Sequence, residues 1–185
     1  MHFCRNNPCK KYVAPSENSI HELGTTTAER DLGVIISTDL KASKQVKAAA
    51  NKANRMLGLL LNTFQFLDLI TYKTLYCTFI RPLLEFAVPV WNPFLKKDID
   101  ILERVQRRAT KRAPGLWQID YDQRLKILGR ATLEERRVRG DLIQQFKIVK
   151  GFDKVNWYQQ PIFKKDTSSQ YLTRGNSLRY MKEIT

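Results

Sequence analysis

The sequence predicts a mainly α fold, a helical bundle with a short β segment at its N-terminal end. Three observations predict it. From Ser43 to Gly151, apolar residues recur at helical spacing between recognisable caps and breakers. Before that stretch, the β-branched run Leu32-Gly33-Val34-Ile35-Ile36-Ser37 is bounded by Thr38-Asp39 and reads as a strand. Apolar content of 43% is enough to close a core, so the chain is not a disordered basic tail.

The elements follow in order. Residues 1–3 read as the tail of a strand and Asn6-Asn7-Pro8 as a turn. Residues 16–27 are polar and loop-like. Ser43 is placed to N-cap a helix running to about Leu61, with Val46, Ala49 or Ala50, Ala53 and Leu57 on its inner side. Asp68 caps the next helix, Leu69 to about Ile80, with Leu69, Tyr72, Tyr76, Phe79 and Ile80 as buried rows. Pro82 should end or kink that helix, because it lacks an N–H and clashes with the preceding turn. A further apolar segment, residues 83–91, closes at Pro93.

Residues 96–112 lack Gly and Pro and can form one helix. Ile99, Leu102, Val105 or Gln106, and Ala109 make its apolar stripe. Arg104, Arg108 and Lys111 recur at i, i+4, i+7 with Arg107 beside them, so four cations share the opposite side. Ala113-Pro114-Gly115 breaks the helix. Asp120 caps a short helix over residues 121–128 that Gly129 ends. Thr132-x-x-Glu135 is a capping-box pattern for a long helix ending at Gly151, with Val138, Leu142, Phe146 and Val149 as its inner stripe. Residues 152–185 mix aromatic and polar residues and predict no defined element. The expected organisation is therefore residues 1–40, 41–113, 114–151 and a tail, 152–185.

Charge points to a class of partner. The chain has 32 Lys+Arg against 18 Asp+Glu, net +14. Residues 41–113 hold 14 basic and 5 acidic groups, net +9, whereas residues 1–40 are net −1. A basic excess concentrated in one region selects a polyanion, most often nucleic acid. The longest uncharged apolar stretch, residues 56–67, is too short to span a bilayer, so no membrane partner is expected. Three cysteines, an odd number, argue against a disulfide framework and suggest a reducing intracellular compartment, nuclear or cytoplasmic. Cys4 and Cys9, near His2 and His21, lack a second half of matching spacing, so no zinc site is expected.

The residues of autonomous catalysis are missing. There is no Gly-rich phosphate loop and no nucleophile elbow. The close carboxylates Asp98/Asp100, Asp120/Asp122 and Glu134/Glu135 each sit at a predicted helix start, where the helix dipole favours negative charge. No Asp-Asp dipeptide occurs.

Seven blocks carry a resemblance: ERDLGVII (29–36), LKASKQV (40–46), KANRMLG (52–58), TLYCTFIRPLLEFAVPVWNP (74–93), KKDIDILERVQRRATK (96–111), YDQRLKILG (121–129) and TLEERRVRGDLIQQFKIVKG (132–151). In this order they resemble the C-terminal part of the reverse transcriptase of jockey-like non-LTR (LINE-class) retrotransposons. The opening MHFCRNNP and closing TRGNSLRYM are also similar. Cys4, where a Gly is common in that family, and Cys9 depart from the pattern. The resemblance implies that residues 1–40 correspond to the end of a palm domain, residues 41–113 to a thumb, and residues 114–151 to the helices after it. It implies a longer parent chain, with the palm upstream. Its Tyr-x-Asp-Asp loop and two Mg²⁺ are absent here, so no cofactor is expected in this segment.

A thumb holds a template–primer duplex by its backbone, whether RNA–DNA or DNA, and phosphate contacts position without reading sequence. The resemblance therefore makes Arg104, Arg107, Arg108 and Lys111 candidate phosphate contacts, with Lys52 and Arg55 behind them. Arg81 stands four residues before Glu85, so the two are read as a structural ion pair that pins the Pro82 kink, in preference to a phosphate contact. Trp91 and Tyr76 are expected in the core. The competing reading is a helical protein-interaction module that docks a partner through rows such as residues 57–61 and 83–86, or a decayed element without present function.

Overall fold

The computed structural model describes residues 1, 10–16, 19–64 and 66–156. His2, Cys4, Cys9, residues 2 and 3 of the strand read into residues 1–3, and the Asn6-Asn7-Pro8 turn lie outside them, as do residues 157–185. By its contacts the chain divides into two units, Met1–Gly140 and Asp141–Thr185.

The first unit is mainly helical, with two small two-stranded antiparallel sheets at its N-terminal end. β1 (Val13–Ser16) pairs with β2 (Ser19–Glu22), with Val13 opposite Glu22. The expectation of a loop over residues 16–27 is corrected here: backbone pairing, not apolar alternation, makes that strand. β3 (Ala28–Asp31) pairs with β4 (Val34–Ser37), the predicted strand. Leu32 and Gly33 link them with φ of 45° and 87°, the two positive values that a tight hairpin turn requires. A Cβ at Gly33 would stand 3.2 Å from the Phe86 ring, so glycine also lets the turn approach that side chain.

Helix α1 (Ser43–Thr63) buries Val46, Ala49, Ala50, Ala53 and Leu57 along one side. Its N-cap is Ala42 and not Ser43, because the Ser43 hydroxyl donates instead to Asp98 Oδ2 at 2.5 Å. Gln45 reaches back to the hairpin and accepts from the Ile35 N–H at 2.9 Å. Asp68 caps α2 (Leu69–Leu75) by accepting from the N–H groups of Ile70 and Thr71, both at 3.0 Å.

Pro82 does not stop the helix. A π-helical turn, Tyr76–Ile80, joins α2 to α3 (Arg81–Glu85), and the Arg81 N–H reaches Tyr76 O. The widened turn precedes the residue that has no N–H to give. Tyr72, Tyr76 and Ile80 are buried as expected, but Phe79 is 43% exposed, because the extra residue of the π turn rotates it outward. Ala87, at φ 50°, turns the chain into α4 (Val88–Trp91).

Helix α5 (Lys96–Lys111) packs along α1. Leu102, Val105 and Ala109 join the α1 row, Ile80, Leu84 and Trp91 in the main core. A smaller core holds Tyr72, Ala113, Leu116 and Leu128. Asp120 caps α6 (Tyr121–Leu128), and Gly129 ends it at φ 62°.

Helix α7 (Leu133–Val149) begins where the Thr132 hydroxyl accepts from the Glu135 N–H at 3.2 Å. Its expected inner stripe is corrected. Val138, Leu142 and Phe146 are exposed, while Leu133 and Arg137 are buried. The sheltered row lies one residue away because Arg137 inserts its guanidinium over Trp91, 4.5 Å from the ring, and donates to Leu84 O. In the second unit the Phe152 N–H bonds Lys147 O at 2.9 Å around Gly151 (φ 75°), and Gln144 donates to Asp153 at 2.8 Å.

Candidate nucleic-acid interface

The inner side of α5 is less apolar than its spacing suggests. Gln106 is 2% exposed and fully used: it accepts from Tyr76 Oη at 2.9 Å and donates to Tyr121 Oη and Ala131 O, both at 3.1 Å. Glu103, also buried, accepts from Tyr121 Oη and from the Leu133 N–H at 3.2 Å. Burial pushes the Tyr76 and Tyr121 phenols above the ordinary tyrosine range, and the Glu103 bond adds to the shift at Tyr121. Both therefore remain hydrogen-bond donors at neutral pH. Further along, Tyr72 Oη donates to Ala109 O at 2.6 Å, and Arg124 donates to Ile119 O at 2.5 Å and Thr110 Oγ1 at 3.3 Å. This lattice ties α2, the π turn, α6 and the start of α7 to one helix.

The outer side carries the ridge. Arg104, Arg107, Arg108 and Lys111 are all exposed. At about 100° per residue they share an arc of about 100° on the helix circumference. Two of the three carboxylates of α5 are buried away from this ridge, and the third, Asp100, is exposed four residues before Arg104. Asp98 is 2% exposed and holds Ser43, Glu103 holds Tyr121 and Leu133, and Asp100 lies 3.9 Å from Lys96. Among the described residues no carboxylate lies within 4 Å of any of the four cations. Arg107 rests on the Tyr121 ring at 5.0 Å, and Arg104 Nε reaches Asp100 O at 3.4 Å.

Lys52 and Arg55 are exposed on α1. The four α5 cations share one face of a single helix, whereas Lys52 and Arg55 belong to α1. Arg81 Nε lies 3.6 Å from Glu85 Oε2, but the closer partner of Glu85 is Arg136. That guanidinium forks onto the carboxylate, Nε at 2.5 Å and Nη2 at 3.0 Å. Its hydrogen bond to Glu85 raises the Arg136 pKa. Trp91 and Tyr76 are both buried, and the Trp91 indole donates to Phe86 O at 2.5 Å.

Two residues that the sequence did not single out lie beyond the C-terminal end of the ridge. Arg112, exposed, and Trp117, 64% exposed, line a cleft with Arg108 and Lys111. The i, i+4 spacing of Arg108 and Arg112 could have signalled the first. Nothing local could have signalled the second, since the exposure of Trp117 is set by the loop that carries it. Among the described residues no three His, Cys, Asp or Glu side chains converge as a metal site would need. Among them, too, no helix is long and apolar enough to cross a membrane.

No family model and no solved structure matches the chain. It is 27% identical over 125 residues to the uncharacterized protein B0403.1 of Caenorhabditis elegans. The match covers 65% of this chain and spans 63% of that protein's length.

Proposed function

We propose that the first unit holds a nucleic-acid duplex by its phosphate backbone, with the outer ridge of α5 as the contact. One observation carries this reading. Four cations share one arc of a helix, and among the described residues no carboxylate lies within 4 Å of any of them. Such an arrangement keeps self-repelling charge on a rigid support, which is what a sequence-independent phosphate clamp needs. With the block resemblance, the reading becomes more specific: a thumb-like, non-catalytic segment of an RNA-directed DNA polymerase.

The test is binding of an RNA–DNA hybrid and a DNA duplex across a salt series. Engagement of the four ridge cations gives a slope of log K against log salt of about −3.6, steepening to about −5 if Lys52 and Arg55 also engage. A flat slope, or no binding at low salt, overturns the proposal. A second reading, a helical interaction module, draws support from the exposed apolar residues Leu142 (60%) and Phe146 (55%) on α7. Charge reversal at Arg107 and Arg108 separates the two, since it abolishes duplex binding and spares a partner docked on apolar residues.

A further inference from the structure

Beyond the ridge, α5 ends at an open cleft of about 610 Å³ lined by Arg108, Lys111, Arg112, Gly115 and Trp117 among others. Three cations line it and no carboxylate does. The segment that carries the indole is anchored. Leu116 is 4% exposed and packs with Ala113, Tyr72 and Leu128, so its neighbour Trp117 is held out at 64% exposure on a fixed support. Gly115, at φ 74°, has nothing within 4 Å of where a Cβ would stand, and leaves the floor of the cleft open.

An exposed flat indole beside three unneutralised cations matches a nucleotide, with a base for the ring and a phosphate for the charges. An acidic peptide would satisfy the cations and leave the indole unused. A base within a duplex has both faces stacked and a terminal pair has one face free but its phosphates fixed by the helix, so an unpaired base best meets the ring and the three cations together.

We infer that this cleft binds an unpaired nucleotide at the end of the duplex lying on α5. The base stacks on Trp117, and Arg108, Lys111 and Arg112 hold the flanking phosphates. Arg108 and Lys111 belong to both ridge and cleft, which makes the two surfaces continuous. The inference rests on the duplex-binding reading and adds the strand end that the site selects.

The experiment compares, on the full chain at low salt, a blunt duplex with the same duplex carrying a short unpaired extension on either strand. The extended duplex is expected to bind about ten-fold more tightly, the scale of one base stacked on an aromatic ring. Trp117→Ala removes that increment and leaves the blunt-duplex affinity as it was. Trp117→Phe keeps part of the increment and loses the quenching of tryptophan fluorescence that the extended duplex causes in the native chain. Equal binding of blunt and extended duplexes, or an increment that survives Trp117→Ala, overturns the inference while duplex binding stands. Failure to bind either duplex overturns both.

Discussion

Within 16 residues α5 carries two polar surfaces built on opposite rules. On the inner side each of Asp98, Glu103 and Gln106 is buried and meets hydrogen-bond partners from α1, the π turn, α6 or α7. On the outer side four cations stand in water, and the nearest contacts are an aromatic face for Arg107 and a backbone carbonyl for Arg104. A buried polar group must be satisfied within the chain, so the inner set is spoken for by folding. An exposed cation has no such requirement, so the outer set is free for an external anion. Polar residues on one helix thus separate into those the fold consumes and those it leaves over.

The largest effect expected of a break in this contrast is at Glu103. Glu103→Ala leaves the Tyr121 hydroxyl and the buried Leu133 N–H without their acceptor. It should cost about 2–4 kcal/mol of stability, read from denaturant midpoints. A cost near zero would mean that the inner lattice does not hold α6 and α7 to α5. Next, Arg107→Glu with Arg108→Glu should lower duplex affinity about 100-fold at low salt. Its melting temperature should stay close to that of the native chain, since surface charges contribute little to folding. A variant that binds normally would return the ridge to a solvated helix face.

A smaller effect separates the two surfaces by pH. Burial, opposed in part by the nearby Arg112 charge, pushes the Tyr72 phenol up to about 12 from 10.0. A raised pKa means that this contribution to stability is fully present below pH 10 and is lost as pH rises toward about 12. Thermal melts over that window should fall more steeply for the native chain than for Tyr72→Phe. The smallest expected difference lies between two arginines on one carboxylate. Arg136→Ala, which removes a bidentate pair, should destabilise by about 1 kcal/mol, and Arg81→Ala by less than about 0.5 kcal/mol. Equal costs would show that Glu85 shares itself evenly.

Much of the helical frame was legible because its signals are local. Asp68, Asp120 and Thr132 each accept the N–H bonds that their positions before apolar runs imply, and Gly129 and Gly151 end helices with positive φ. Capping chemistry depends on neighbours within four residues, all visible in the sequence. Burial on α7 was not legible, since it depends on which side chain finds Trp91. An arginine outcompeted Val138 for the sheltered position by stacking on that indole. Gln106 stood undecided with Val105 in the stripe, and both proved buried, one in apolar contacts and one in hydrogen bonds from three other segments. The cations of the ridge could be placed on one face from spacing alone. That Asp98 and Glu103 of the same helix are buried in hydrogen bonds away from them is a tertiary fact.

The stacking of Arg107 on Tyr121 has a thermodynamic corollary. Tyr121 belongs to the inner lattice through Glu103 and Gln106, so a single phenol ring joins the two surfaces of α5. Any anion that binds Arg107 more tightly when it is stacked must, by reciprocity, tighten the docking of α6 by the same free energy. The α6 amides should then exchange more slowly with solvent deuterium when ligand is bound, and Tyr121→Leu should weaken that protection while leaving the ridge charge intact.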